Sequence, residues 1–358
     1  MKRARAVIGA NFGDESKGLV TEYLCAMQGA GMVVRFNGGS QAGHTVVTPA
    51  GARHVFHHFG CGTFCDVPTF LSQFFVCNPL VCMYEANELL ALKVNPTLYA
   101  HPNCLVTTFA DMMINQEKEK ARGDKRHGSV GVGVNETINR SDISELRITM
   151  SDLWNNTPLE DRLMQICTKY ATYRMGKPIE HPESMISDFI RCCAKFADSV
   201  HPLGIAQCVD PIFEGAQGLL LDQDNKEFYP HLTRSNTGMK NVRMLCQQAG
   251  ISEVDIYYVS RTYLTRHGAG RLPGEDPRMR YHDDTNVDHP FQGPLRFAPL
   301  DTNAILDRCR ADAKTRNYKL VLTHCDQREA PCSADLYAFG PTREHITASK
   351  PALRKVMS

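Results

Sequence analysis

Residues 6–27 leave this chain few ways to fold. Ala6 to Ala10 is an apolar strand, Gly13, Asp14, Glu15, Ser16, Lys17 and Gly18 form a polar turn, and Leu19, Val20, Tyr23, Leu24 and Met27 mark the apolar face of a helix. Strand, turn and helix in that order aim backbone N–H groups and a helix N-terminus at a phosphate. The turn is not a Walker A loop. Ser16 stands where the Gly-Lys-Ser/Thr signature has its glycine, and no glycine opens the run at the required spacing. A second strand, Met32 to Phe36, delivers Asn37, Gly38, Gly39, Ser40, Gln41, Ala42, Gly43, His44 and Thr45. Its glycines let backbone approach a ligand closely while a titratable ring sits at the rim. A carboxylate at Asp14, a cation at Lys17 and an imidazole at His44 suit an anionic, base-bearing substrate.

The run GDESKG followed by VVRFNGGSQAGHT resembles the adenylosuccinate synthetase family, whose usual forms are close to GDEGKGK and VVRYQGGxNAGHT. FEGAQGLLLD (Phe213 to Asp222), YPHLTRSNT (Tyr229 to Thr237), TRHGAGRLPGED (Thr265 to Asp276) and GPTRE (Gly340 to Glu344) match later motifs of that family in the same order. The chain is short for the common bacterial form and is more similar to the shortened archaeal and phage-borne members, including the phage-type aminodeoxyadenylosuccinate synthetases.

Composition narrows the remaining classes. The 358 residues are 42% hydrophobic and 22% charged, ordinary for a globular protein, and the formal net charge is +1. No global electrostatic case exists for nucleic acid or a membrane as partner. No apolar run approaches the roughly 18 residues of a membrane helix, and MKRARAVIGAN enters a strand without a signal-type apolar core. A cytosolic (cytoplasmic) protein is expected. The 14 cysteines are scattered without paired CxxC sets, as buried free thiols in a reducing compartment would be. His54, His57, His58, Cys61 and Cys65 concentrate soft ligands in one window, but HVFHHFGCGTF also reads as a β-rich segment ending in a glycine turn.

Further along, Thr69 to Leu92 carries the helix-like series Ala86, Leu89, Leu90 and Leu92, read as core. The segment Glu117 to Thr137 changes from a charged helix to glycine–valine alternation, and its basic run Lys118 to Arg126 reads as a solvated helix face that could also shield a nucleotide phosphate. Leu159, Leu163, Ile166, Tyr170 and Tyr173, then Ile186, Ile190, Cys193 and Ala197, recur at spacings of four and three, as packed helices do. Val209 to Phe213, Asp255 to Leu264 and Tyr318 to Leu322 are buried-strand candidates, several ending in polar turns. The expected fold is α/β and P-loop-NTPase-like: one domain over 1–358, a mostly parallel sheet with helices on both faces and helical insertions, and ligands at the carboxyl edge.

The resemblance implies a chemistry. The O6 of a 6-oxopurine nucleotide is a poor leaving group until a nucleoside triphosphate phosphorylates it; L-aspartate then attacks C6. Asp14 would take the N1 proton, His44 would protonate or stabilise the bridge oxygen, and Lys17 would add charge as phosphate moves. Mg²⁺ would be held by Asp14 and the Gly43 carbonyl. The implied nucleotide and substrate contacts are Ser16, Gly18, Asn37, Gln41, Ser129, Val130, Gln217 (the base), Thr233 (the 5′-phosphate), Asp326 and Gly340. Arg140 is assigned as the arginine lent across a homodimer interface and Arg296 as the aspartate anchor. The guanine-reading TKLD turn of the family is Thr323, His324, Cys325 and Asp326 here, which leaves ATP or dATP open beside GTP as donor. Ser16, in place of the family's glycine, is a hydroxyl able to accept from a guanine 2-amino group, which favours dGMP over IMP. It also has a plainer reading as a residue that tightens the turn. A regulator that has lost catalysis and a metal-binding module around His57 and Cys61 are the competing classes.

Overall fold

The computed structural model describes residues 2–123, 130–286 and 293–349. Its centre is a ten-stranded sheet. From one edge the strands are Ile346–Thr347, Leu336–Ala338, Lys319–Thr323, Glu253–Arg261, β1 (Arg3–Gly9), Pro211–Gly218, β2 (Met32–Arg35), Thr69–Leu71, Leu98–Ala100 and Val200–Pro202. Every neighbouring pair is parallel except the first.

Alternation along the strands buries both faces. Ala4, Ala6 and Ile8 of β1 join Tyr258, Leu320 and Leu322 against the helices Met239–Ala249 and Thr302–Ala313. Val7 joins Val33, Ile212, Val259 and Val321 on the other face, packed on Val20 and Leu24 of α1 (Lys17–Gln28). A side chain reverses direction at each strand residue, so a strand with apolar residues at successive positions has to be covered twice. The expected mostly parallel sheet with helices on both faces is what forms. A third core gathers the helical insertion around Leu89, Leu163, Ile186 and Phe196.

Local expectations need adjusting. The strand expected over Val209 to Phe213 runs from Pro211 to Gly218, with Val209 exposed. It extends through the glycines because its pairing with β1 shifts register between Val7 and Gly9, ending on Gly9 against Gly218. In the helix Pro79–Ala91 only Leu89 of the leucine series is fully buried; Leu90, and Leu92 just past the helix end, face solvent. Tyr173 is likewise exposed. The strand expected over Asp255 to Leu264 breaks at Thr262 into Glu253–Arg261 and Tyr263–Arg266.

The histidine and cysteine window is taken apart by the fold. His54 and His58 flank the buried Glu85 at 3.8 and 3.4 Å, and the N–H groups of His57, His58 and Phe59 donate to that carboxylate. Burial alone would raise the Glu85 pKa, but the two rings hold it well below the usual range. His57 meets the Ala42 carbonyl, Cys65 meets Glu22, and Cys61 turns toward Glu214. None of the 14 cysteines is in a disulfide.

Candidate active site

At the carboxyl edge of the sheet lies a cleft of about 1210 Å³. Asp14, Ser16, Lys17, Gly18, Gln41, Gly43, His44, Val130, Gln217, Thr233, Asp326 and Gly340 all line it. Residues drawn from both ends of the sequence meet there because β1 is central and its neighbours end at the same edge.

The turn after β1 is organised from within by Glu15. Its Oε1 accepts the N–H groups of Asn11 and Gly13 at 2.7 and 3.2 Å, and its Oε2 lies 3.3 Å from Lys17 Nζ. Two N–H groups expected to face a phosphate are therefore already used. Burial raises the Glu15 pKa, with Lys17 working against it. Asp14 and Ser16 both have left-handed backbones, φ 58° and 67°. The Asp14 side chain stays 33% exposed, 3.9 Å from His267 Nε2, and its carbonyl accepts from Arg261 Nε. Ser16 precedes the first turn of α1 without a side-chain capping bond.

The second turn is locked by Asn37, whose amide pairs with the Ala216 carbonyl and N–H at 2.9 and 2.8 Å. Asn37 is fully buried behind the cleft, so it positions the turn and does not face a ligand. His44 Nδ1 is hydrogen-bonded to Glu214 Oε1. An ionised carboxylate only accepts, so Nδ1 donates and Nε2 is the nitrogen without the proton. Glu214 also receives Arg35 Nη1 at 3.1 Å, the Cys61 N–H at 2.9 Å and the Cys61 thiol at 3.2 Å. Burial, reinforced by Arg35, lowers the His44 pKa to about 4 while Glu214 opposes it. Burial would raise Glu214, but Arg35 and His44 hold it at about 2. The imidazole is thus neutral near pH 7, with a carboxylate ready to stabilise a proton that arrives on Nε2.

Around these turns, Gln217 has φ 55° and a buried Oε1 without a hydrogen-bond partner among the described residues. Arg234, beside Thr233, lines the cleft and reaches Asn139 and Asp142. His324 packs edge-on against Tyr263, and burial together with Arg261 lowers its pKa to about 3.

Two arginine assignments do not survive. Arg140 is fully buried, chelated by Asp111 and bonded to the Val106 and Leu146 carbonyls, so its guanidinium has nothing left to lend to a second subunit. Arg296 is not part of the cleft lining; it pairs with Glu275 and holds the Gly268 and Gly270 carbonyls. Ser129 lies outside the described residues. Sequence reasoning missed Glu15, Glu214, Arg261, His267 and Asp283. Glu214 sat inside a recognised motif, yet nothing local announces its pairing with a histidine 170 positions away.

The donor set can be tested against Mg²⁺. Asp14 and the Gly43 backbone line one cleft and supply hard oxygen ligands, as that ion requires. The trio His44, Cys61 and Glu214 is closer-knit, but it is buried around Arg35 Nη1, a cation already in place.

The adenylosuccinate synthetase family model matches residues 6–288. The adenylosuccinate synthetase of Picrophilus torridus is 29% identical over 276 residues, 75% of this chain and 64% of that protein. That of Synechocystis sp. is 32% identical over 297 residues, 77% of this chain and 64% of that protein. The chain spans less than two thirds of the length of these relatives. Among solved structures, the fully ligated adenylosuccinate synthetase of Plasmodium falciparum aligns with TM-score 0.68 and 20% identity over 90% of this chain and 77% of that one. The cyanophage S-2L succinoaminodeoxyadenylate synthetase, solved with dGMP and with dATP as energy donor, aligns with TM-score 0.64 and 16% identity over 98% of this chain and 96% of that one. At these identities the structural likeness speaks for the fold.

Proposed function

This chain belongs to the adenylosuccinate synthetase family, and from that premise we propose that it is a ligase joining L-aspartate to dGMP through a 6-phosphoryl intermediate. The product is the succinyl precursor of 2-amino-2′-deoxyadenylate. The observation that carries the reading is the convergence of Asp14, Lys17, Gly43, His44, Gln217 and Thr233 on one cleft. Asp14 accepts the N1 proton, which makes O6 nucleophilic toward the γ-phosphate of the triphosphate. His44, neutral at rest and braced by Glu214, takes a proton from solvent at Nε2 as the triphosphate binds and donates it as a hydrogen bond to the bridge oxygen gaining charge, and Lys17 stabilises the phosphoryl oxygens. Gln217 orients the base and Thr233 the 5′-phosphate. Mg²⁺, held by Asp14 and the Gly43 carbonyl, would neutralise the triphosphate oxygens.

Ser16 supports dGMP over IMP. Its hydroxyl is free of capping duty and borders the same cleft as Asp14. A 2-amino group buried without an acceptor costs about 1–3 kcal/mol, and a site built to bind it discriminates against a ligand that lacks it. The cyanophage protein solved with dGMP and dATP is compatible with this branch, as is its length match. For the donor, the neutral His324 beside Asp326 replaces a lysine stem of the family's guanine-reading turn, which favours ATP or dATP over GTP. A homodimer is carried over from the family, without Arg140 as its shared residue.

The second reading is IMP with GTP, favoured by the names of the relatives and by an Asp14 that serves either purine. Incubation with aspartate, Mg²⁺, each triphosphate in turn and either dGMP or IMP, followed by mass spectrometry, separates the two. The expected product is the dGMP adduct; an adduct from IMP alone would end the dGMP proposal.

A further inference from the structure

One set of side chains bonds the Asp14 carbonyl and also places an imidazole beside its carboxylate. On its backbone side, Arg261 Nε donates to the Asp14 carbonyl, while Arg261 Nη2 donates to Asp283 Oδ2 at 2.7 Å. Asp283 also accepts Asn286 Nδ2 on the same oxygen at 2.9 Å, and its Oδ1 takes the N–H groups of Thr285 and Asn286 at 3.0 and 2.9 Å. A carboxylate only accepts, so this contact sets the Asn286 amide with its NH₂ toward Asp283 and its oxygen toward His267 Nε2, 3.2 Å away. Nε2 must then carry the proton. Nε2 itself lies 3.9 Å from Asp14 Oδ2, too far for a hydrogen bond but close enough for its N–H dipole to attract the carboxylate.

Asp14 needs such support. A left-handed backbone costs a residue with a Cβ about 1–2 kcal/mol and persists only where surrounding contacts over-determine it. Arg261 and Asp283 are 3% and 9% exposed, so their attraction is little screened. Asp283 is the one member that faces both arms.

We propose that Asp283 is a positioning residue for Asp14. Through Arg261 it fixes the Asp14 carbonyl, and through Asn286 and His267 it steadies the carboxylate, so that the base meets the substrate's ring N–H at one angle. This rests on Asp14 being the base, as argued above.

The test is steady-state kinetics of the full chain with aspartate, Mg²⁺, triphosphate and whichever of dGMP and IMP the wild type turns over, alongside thermal melts. Asp283→Asn is expected to lower kcat by about 10²-fold, the scale of a misplaced reacting group, with the nucleotide KM within about threefold. Removing that charge leaves Arg261 buried without its partner, so His267→Ala and His267→Gln form a second pair that leaves no buried charge unpaired. His267→Ala should lower kcat about tenfold, and His267→Gln, whose amide N–H reaches Asn286, should recover most of it. If Asp283→Asn does not fold, the histidine pair alone decides. A kcat within about twofold of wild type in folded Asp283→Asn or in His267→Ala overturns the proposal, as does an equal loss in the alanine and glutamine variants. Asp14→Asn separates the two levels. If it is inactive while Asp283→Asn and His267→Ala are not, the circuit alone is wrong; if it turns over normally, the base assignment falls and the circuit with it.

Discussion

Ser16 is a residue kept where backbone geometry argues against it. Its φ of 67° lies in the region where glycine carries no steric cost. The hydroxyl makes no capping bond that would compensate. Ser16→Gly should therefore raise stability, by about 1 kcal/mol once the extra freedom of an unfolded glycine is subtracted. If the hydroxyl accepts from the 2-amino group, the same change lowers the ratio of dGMP to IMP turnover. Urea denaturation and paired kinetics check the two halves separately. A more stable variant with an unchanged ratio would leave Ser16 as a turn residue only.

At the scale of elements, the site depends on two turns pressed backbone to backbone. A Cβ built on Gly218 would fall 2.3 Å from the Asn11 carbonyl oxygen and 2.9 Å from the Gly13 nitrogen. One on Gly9 would meet Glu15 Oε2 at 2.1 Å and the Gln217 carbonyl at 2.6 Å. No flexible side-chain end can yield at Gly218, because its neighbours are main chain. Gly218→Ala is expected to cost about 1–3 kcal/mol, the range for overpacking a filled site. Because the displaced backbone is the turn that carries Asp14, kcat should fall by more than lost stability explains. Activity of the folded fraction, measured well below the melting temperature, checks this; full kcat in that fraction would mean that the turns move independently.

For the whole molecule, burial of neutral histidines dictates a pH response. His44 and His324 titrate near 4 and 3 in the folded chain against 6.5 for a free ring. Below pH 6.5 the unfolded chain takes up protons that the folded one refuses, so stability falls as pH drops from 6.5 toward 4. The loss is about 2 kcal/mol per ring at about pH 5, from the value of one pKa unit. Glu214 adds a second loss only further down, as pH falls from 4.5 toward its folded value of about 2. Urea midpoints at about pH 7.5 and about pH 5 should differ accordingly; equal midpoints would mean that these rings protonate without unfolding.

Much of this was legible in the residues alone. Apolar runs ending in glycine turns predict a parallel sheet with ligands at its carboxyl edge, because strand pleat and glycine's freedom are local backbone properties. The residues Asp14, Lys17 and His44, singled out in the two turns, and Gly43, Gln217 and Thr233, implied by the family resemblance, all lie on one cleft. Helical spacing, by contrast, cannot tell which leucines of 89–92 face inward, since that depends on what covers the helix. Nor can it reveal that Arg140 closes on Asp111, that Arg296 serves a loop, or that Glu214 holds His44 from 170 residues away. A charged side chain settles where the interior has removed its water and left one partner within reach, and that choice is made only when the distant parts of the chain have packed together.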